Sequence, residues 1–273
     1  MNDPVYTPLQ MREIFHLEFL RWFGRKLEAE HYVLKGGVNL RLFFRSIRYS
    51  EDMDIDIQGV RVDRIKKTVM DILSSQGLSQ SLKSFGITKV IPPDIMKAKQ
   101  TETTQRFKIH LLAPGGQDLF TKIEFSRRGM KGTAAVEPVP APLLRSYKMA
   151  PLLAPHYDTA SAIQQKIQAL AQRSVLQARL PLGMTGGQAR DIFDLFVLSS
   201  QYNGAQGKPL NVGEGVLRTA LDNIFLVEFL QFRDTVAAYL EIGDQRMYSL
   251  PAAWDEIKLK TARFLEEVLH GSD

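Results

Sequence analysis

The sequence predicts an α/β (α+β) domain followed by a mostly α-helical one. Three observations carry this. Residues 52–57 alternate strictly between acidic and apolar. Two further strand-like runs, 104–112 and 119–126, flank Pro114-Gly115-Gly116 as in a hairpin. Beyond residue 158 the apolar spacing is helical almost throughout, at 160–175, 187–202, 211–240 and 252–269.

The first half is expected to open with a helix over 8–28, where Met11, Ile14, Phe15, Phe19, Trp22 and Phe23 share a face. Tyr32-Val33-Leu34 reads as a short strand, and after Gly36-Gly37 a helix-like run spans Asn39 to Arg45. Residues 61–75 read as a further helix. The composition then changes: Pro138, Pro140, Pro142, Pro151 and Pro155 argue for an extended connection. The expected division is an α/β domain at 1–136, a Pro-rich connection at 137–158 and a helical domain at 159–273.

Composition narrows the function classes. The chain has 273 residues, 44% hydrophobic and 24% charged, as a globular protein has. Cysteine is absent, which excludes disulfides, thiolate metal sites and a thiol nucleophile. No apolar run reaches the ~20 residues that span a bilayer. The N-terminus lacks the basic-then-apolar layout of a signal peptide. The expectation is a cytoplasmic protein with no membrane partner. A net charge of +5 and a pI near 9.3 suit a polyanionic partner, although an ordinary basic protein has the same balance.

The strand Asp52-Met53-Asp54-Ile55-Asp56-Ile57 carries the strongest chemistry. Alternation puts Met53, Ile55 and Ile57 on one face and Asp52, Asp54 and Asp56 on the other. Neighbours on a face sit roughly 6.5–7 Å apart. Carboxylates this close repel, and a divalent cation such as Mg2+ or Mn2+ relieves the repulsion while bridging to substrate phosphate. The bland alternative is a solvated acidic face. A calcium loop of the EF-hand type is excluded, because its sixth position would be Ile57 and its twelfth Asp63.

Lys35-Gly36-Gly37 lies between a strand and a helix, 15 to 18 residues before the two acids. A helix N-terminus offers unpaired N–H groups to phosphate, and glycine permits close approach. On its own the pair is as well explained by a turn. Along 119–126, Lys122, Glu124 and Ser126 share a face. Glu124 is either a third metal ligand, a base for an attacking hydroxyl or an ordinary surface acid. Arg106, Lys108 and His110 form a cationic strip on the neighbouring strand, which suits phosphate or simply a solvated face. In the helical half, Lys166 falls on an apolar stripe with Ile163, Ile167 and Leu170. It either snorkels or meets an anion. Asp191 and Asp194 lie on a helix apolar around most of its circumference and need partners. An internal salt bridge from Lys166 to one of them is the structural alternative to a role in chemistry.

Leu34-Lys35-Gly36-Gly37-Val38-Asn39-Leu40-Arg41 followed by Arg48-Tyr49-Ser50-Glu51-Asp52-Met53-Asp54-Ile55-Asp56 resembles the first motif of the AbiEii-type nucleotidyltransferase toxins, within the DNA polymerase β-like superfamily. Lys122-Ile123-Glu124 resembles the third-acid strand. Gln165-Lys166-Ile167-Gln168-Ala169-Leu170 with Arg173 resembles the lysine-bearing helix, and Arg190-Asp191-Ile192-Phe193-Asp194-Leu195 the R-D-x-x-D-L helix. Val38 departs from the Thr or Ser usual after the glycines, and Asn39 is the substitute hydrogen-bonding group. The resemblance implies a mixed-sheet nucleotidyltransferase domain completed by the helical one. It implies Asp52, Asp54 and Glu124 as metal ligands, with Lys166 and Asp191 also catalytic and lining a cleft. It assigns Lys35, Gly36, Gly37, Asn39, Ser50, Arg190 and Asp194 to nucleotide binding. A nucleoside triphosphate donor, an RNA acceptor such as tRNA and a cognate antitoxin follow from it too. Two other readings stand beside it: a D-x-D glycosyltransferase, and an inactive module that binds RNA or a protein partner.

Overall fold

The computed structural model describes residues 6–177, 187–203 and 208–271, with the backbone alone over 173–177. The chain divides into two compact units. The first comprises residues 1–43 and 49–157, and the second 44–48 and 158–273.

The first unit is built on a mixed seven-stranded sheet. Its strands are β1 (Tyr32–Lys35), β2 (Asp52–Ile57), β3 (Lys89–Ile91), β4 (Thr104–Leu112), β5 (Asp118–Ser126), β6 (Ala134–Pro138) and β7 (Leu153–Tyr157). They lie in the order β3-β4-β5-β2-β1-β7-β6. Parallel pairing occurs between β2 and β5 and between β1 and β7, and the other pairs are antiparallel. The stretch expected as an extended connection instead supplies β6, β7 and the helix α5 (Ala141–Ser146) between them. Proline hid the strands. Pro155 sits inside β7, where it is tolerated because β7 meets β1 at the single position Leu34↔His156.

Alternation sorts the faces of this sheet. Met53, Ile55 and Ile57 of β2, Phe107, Ile109 and Leu111 of β4, and Leu119, Ile123 and Phe125 of β5 all turn into one core. Helix α1 (Pro8–Gly24) covers it with Phe15, Phe19 and Phe23. Its start is fixed by a capping box between Thr7 and Gln10. Helices α3 (Val62–Leu73) and α4 (Gln76–Lys83) add Ile65, Val69, Leu78 and Leu82.

Helix α2 (Gly36–Phe43) begins on the glycines themselves rather than after them. Val38 and Leu42, four apart, point into the core. Val38 is 3% exposed, so a hydroxyl there would enter the core rather than reach a phosphate.

The second unit is helical: α6 (Thr159–Gln177), α7 (Gly187–Ser199), α8 (Glu214–Phe225), α9 (Phe229–Thr235), α10 (Ile242–Met247) and α11 (Pro251–His270). The run expected as helical over 211–240 is broken after Phe225 and again after Thr235. Trp254 closes the core of this unit. Its ring stacks 4.5 Å from Phe232, and its indole N–H donates to the Val227 carbonyl at 3.0 Å. Among the described residues no helix is long and apolar enough to cross a membrane.

Val38→Thr should lower stability by about 1–2 kcal/mol, the cost of a poorly partnered buried hydroxyl, without tightening nucleotide binding. Urea denaturation and a nucleotide titration check both parts. Tighter nucleotide binding would restore the phosphate-contact reading of this position.

Candidate active site

The face of the sheet opposite the first unit's core gathers charge. Pairing of β2 with β5 sets Asp52 beside Lys122, Asp54 beside Glu124 and Asp56 beside Ser126. On the other flank of β2, Lys35 stands opposite Asp54. On the far side of β5, Arg106 stands opposite Glu124. Directly opposed residues share a face, with Cβ atoms within ~5.5 Å. Lys108 stands opposite Lys122 in the same way, so four carboxylates and four cations occupy adjoining positions.

Three of those acids are engaged. Lys122 Nζ lies 2.9 Å from Asp52 Oδ2. Arg106 Nε donates to Glu124 Oε2 at 2.7 Å. Lys35 Nζ donates to Asp56 Oδ1 at 2.6 Å, and the Tyr157 hydroxyl donates to the other oxygen of Asp56 at 2.7 Å. Asp54 differs. Among the described residues it has no hydrogen-bond or ion-pair partner. Burial pushes its carboxyl above the ordinary Asp range. Lys35 and Lys122 pull it back, while Glu124 and Asp52 add to the rise.

Gly36 explains how Asp54 fits. A Cβ at Gly36 would stand 2.7 Å from Asp54 Oδ2, and Gly36 has φ +66°. Glycine is required there both by the backbone and by the carboxylate against it. Gly37 follows as the second residue of α2. The helix N-terminus and the acid of β2 are thus immediate neighbours.

The donors fit a divalent cation in kind, because they are all oxygen and Asp54 has no ion pair among the described residues. Their oxygens are not already drawn together. Among the described residues, the group of three whose ligand atoms lie within 4.8 Å of one another is Glu28, Glu30 and His31, largely exposed and just before β1. The reason is electrostatic: Lys122 and Arg106 hold Asp52 and Glu124.

Other positions expected to touch nucleotide are occupied within the protein. Asn39 is 1% exposed and donates from Nδ2 to the Tyr157 carbonyl at 3.2 Å, so it does not replace a hydroxyl at position 38. The Ser50 hydroxyl donates to the Asp52 carbonyl at 2.7 Å, fixing the start of β2. Lys35 is committed to Asp56.

In the second unit, Lys166 on α6 meets both acids of α7. Its Nζ lies 3.0 Å from Asp191 Oδ1 and 2.6 Å from Asp194 Oδ2. Asp194 is fully buried and also accepts from the Arg48 guanidinium at 3.0 and 3.1 Å. Burial works against the Lys166 charge, yet Asp194 and Asp191 outweigh it and raise its pKa. Burial likewise opposes the Asp194 charge, and Arg48 and Lys166 overcome it and hold the carboxyl below the ordinary range. The alternative of an internal salt bridge is therefore what Lys166 forms, with two partners instead of one. Asp194 is an internal counter-ion to Arg48 and Lys166. Arg190 is half-buried on the same helix. The side chain of Arg173 lies outside the described residues.

The model of the family described as "Nucleotidyl transferase AbiEii toxin, Type IV TA system" matches residues 18–249. The chain belongs to this AbiEii family. It is a nucleotidyltransferase of the toxin class. Two solved structures share its fold. The nucleotidyltransferase toxin MenT4 of Mycobacterium tuberculosis is 17% identical with a TM-score of 0.55, over 95% of this chain and 84% of that one. The protein JHP933 of Helicobacter pylori is 17% identical with a TM-score of 0.51, over 98% of this chain and 94% of that one. No curated protein sequence is similar enough to match.

Several partners in this AbiEii chain were missed by sequence reasoning. Lys122 and Arg106 were visible as residues on polar faces, but not as the counter-ions of particular acids. Arg48 had no local signal, since it and Asp194 are 146 residues apart.

Asp54→Asn should raise the melting temperature at pH 7. An unfolded Asp releases its proton near 3.8, whereas the folded carboxyl holds it to higher pH. The folded state therefore binds more protons in that window, and native stability falls as pH rises through it. The gain from Asn should fade as pH drops below the ordinary Asp range. Scanning calorimetry at pH 7 and pH 4 checks it, and equal melting at pH 7 would count against an uncompensated charge. Lys166→Ala should cost ~3–5 kcal/mol, because it leaves two buried acids with too little positive charge. Urea denaturation reads this directly.

Proposed function

We propose that this AbiEii-family protein moves a nucleoside monophosphate from a nucleoside triphosphate to a hydroxyl of an RNA acceptor, with tRNA the expected one. It does so in the cytoplasm as the toxin of a type IV toxin–antitoxin pair, opposed by a cognate antitoxin. The observation that carries this reading is Asp54. It is a carboxylate without an ion pair among the described residues, flanked by Asp52 and Glu124 and packed against the glycine that opens α2.

Asp52, Asp54 and Glu124 are the residues that would hold magnesium or manganese. When bound, that ion supplies charge neutralisation for the triphosphate and the departing pyrophosphate. The protein's own groups do the rest. Gly36 and Gly37 present the N–H groups of the first turn of α2 to phosphate oxygens. Glu124, held in orientation by Arg106, accepts the proton of the acceptor hydroxyl. The hydroxyl oxygen bonds to the α-phosphorus, the bond to the bridging oxygen breaks, and pyrophosphate leaves. Under the same reading, Lys166 is the cation assigned to phosphate charge, and Asp191 orients it.

Purified protein incubated with magnesium, each labelled nucleoside triphosphate in turn and total RNA should place label on RNA. Asp52→Ala and Asp54→Ala should each reduce this by at least roughly 100-fold, as loss of a principal electrostatic contact does, while remaining folded by circular dichroism. Wild-type turnover by Asp54→Ala would overturn the assignment. Transfer of sugar from a nucleotide-sugar, with no labelling of RNA, would replace it with the glycosyltransferase reading.

A further inference from the structure

A second charged feature adjoins the acid row within the first unit. The polar face of β4 and the loop at residues 92–99 enclose a groove of about 360 Å³. Lys97 and Lys99 line it from the loop, and Arg106, Lys108 and His110 from the strand. Asp94 is the acid among its lining residues, and Lys97 Nζ lies 3.6 Å from its Oδ2 in an exposed pair that a phosphate can displace. The wall is fastened to the sheet. Arg106 N–H donates to the Lys99 carbonyl at 2.8 Å, and Gln105 Nε2 donates to Gln100 Oε1 at 2.8 Å.

The groove is continuous with the candidate active site through one residue. Arg106 lines the groove and also holds Glu124. Glu124 in turn stands beside Asp54. Two strand spacings, ~10 Å, separate β4 from β2. Lys108 lies ~7 Å further along the same face of β4. The side chains of Lys97, Lys99 and Lys108 are exposed, and the loop around Lys97 and Lys99 carries no aromatic residue. Such a surface binds a chain of negative charges spaced along a strand, without reading bases.

We propose that this groove seats the acceptor RNA strand, with Lys97, Lys99 and Lys108 against its phosphodiester backbone and the reacting end directed past Arg106 to Asp54. The proposal rests on the nucleotidyltransferase reading of the acid row and adds to it where the acceptor runs. A triphosphate is the competing occupant, and it differs in needing few contacts close to Asp54 rather than a row leading away from it.

The test uses the full chain and a fluorescein-labelled single-stranded RNA oligonucleotide in anisotropy titrations over a range of salt. The variant carries Lys97→Ala, Lys99→Ala and Lys108→Ala together. A control with the same charge change carries Arg64→Ala, Lys67→Ala and Lys83→Ala, on α3 and α4. Affinity of the groove variant should fall at least about 10-fold near 0.1 M salt. Its salt slope should shrink by about 2, given roughly 0.7 per phosphate contact on a single strand. The control should bind as wild type does, and nucleoside triphosphate binding should be unchanged in both. Equal losses in groove variant and control would reduce the effect to net charge and overturn the proposal. Unchanged RNA binding, or loss of triphosphate binding instead, would also overturn it. Transfer to RNA by the groove variant at the wild-type KM for RNA would remove the groove while leaving the transferase reading intact. Groove-dependent RNA binding without any transfer by the wild type would do the reverse.

Discussion

The arrangement depends on one close approach, that of the Asp54 carboxylate to the backbone of Gly36. A side chain at position 36 would meet Asp54 Oδ2 at 2.7 Å, so only glycine lets the acid of β2 and the first turn of α2 share this place. The approach is enforced from behind. Met53 and Ile55, on either side of Asp54, are fully buried, and the two-residue period leaves Asp54 no other face to occupy. Two carboxylates ~7 Å apart repel by ~2 kcal/mol at an effective dielectric of about 20. Lys122, Arg106 and Lys35 offset this for Asp52, Glu124 and Asp56. Each of these three cations engages one acid, and among the described residues Asp54 is the acid of the row without an ion pair.

How legible this was in the sequence follows from the range of each interaction. Strands β1, β2, β4 and β5 announced themselves through alternation and turn residues, which are local signals. The shared face of Asp52, Asp54 and Asp56 needed nothing more. The neighbouring of Glu124 and Asp54 is a matter of register between strands about 70 residues apart, and no periodicity within either strand contains it. Strands β6 and β7 were masked by Pro138 and Pro155, which read locally as breakers. They are strands because β7 has β6 on one side and touches β1 at one position on the other. The interior place of Asn39 and Val38 was also out of reach. Which side of α2 meets the core is decided by the sheet, not by the helix.

The second unit poses a related problem and solves it differently. Lys166, Arg48, Asp191 and Asp194 bring two cations and two anions together in a largely buried setting. Arg48 reaches this cluster on a five-residue excursion, 44–48, that interrupts the first unit between α2 and β2. The guanidinium engages both oxygens of Asp194. Both bonds come from one nitrogen, Nη2. The single ammonium of Lys166 instead reaches one oxygen on each of two acids, which are three residues apart on one face of α7.

Linkage decides what such a cluster can do. The Asp194 pKa is held below its ordinary value, so its contribution is complete above the ordinary Asp range and is lost only as pH falls through the depressed value. The Lys166 pKa is raised, so its contribution is complete below the ordinary Lys range and is lost only as pH rises through the elevated value. Both windows contain neutrality with a wide margin. Lys166 and Asp194 therefore keep their charges throughout the physiological range, and this pair is no pH switch. Asp54 has the opposite sign. Its pKa is raised, because burial and the neighbouring acids Glu124 and Asp52 outweigh the pull of Lys35 and Lys122, so its ionised form costs stability where that of Asp194 adds it.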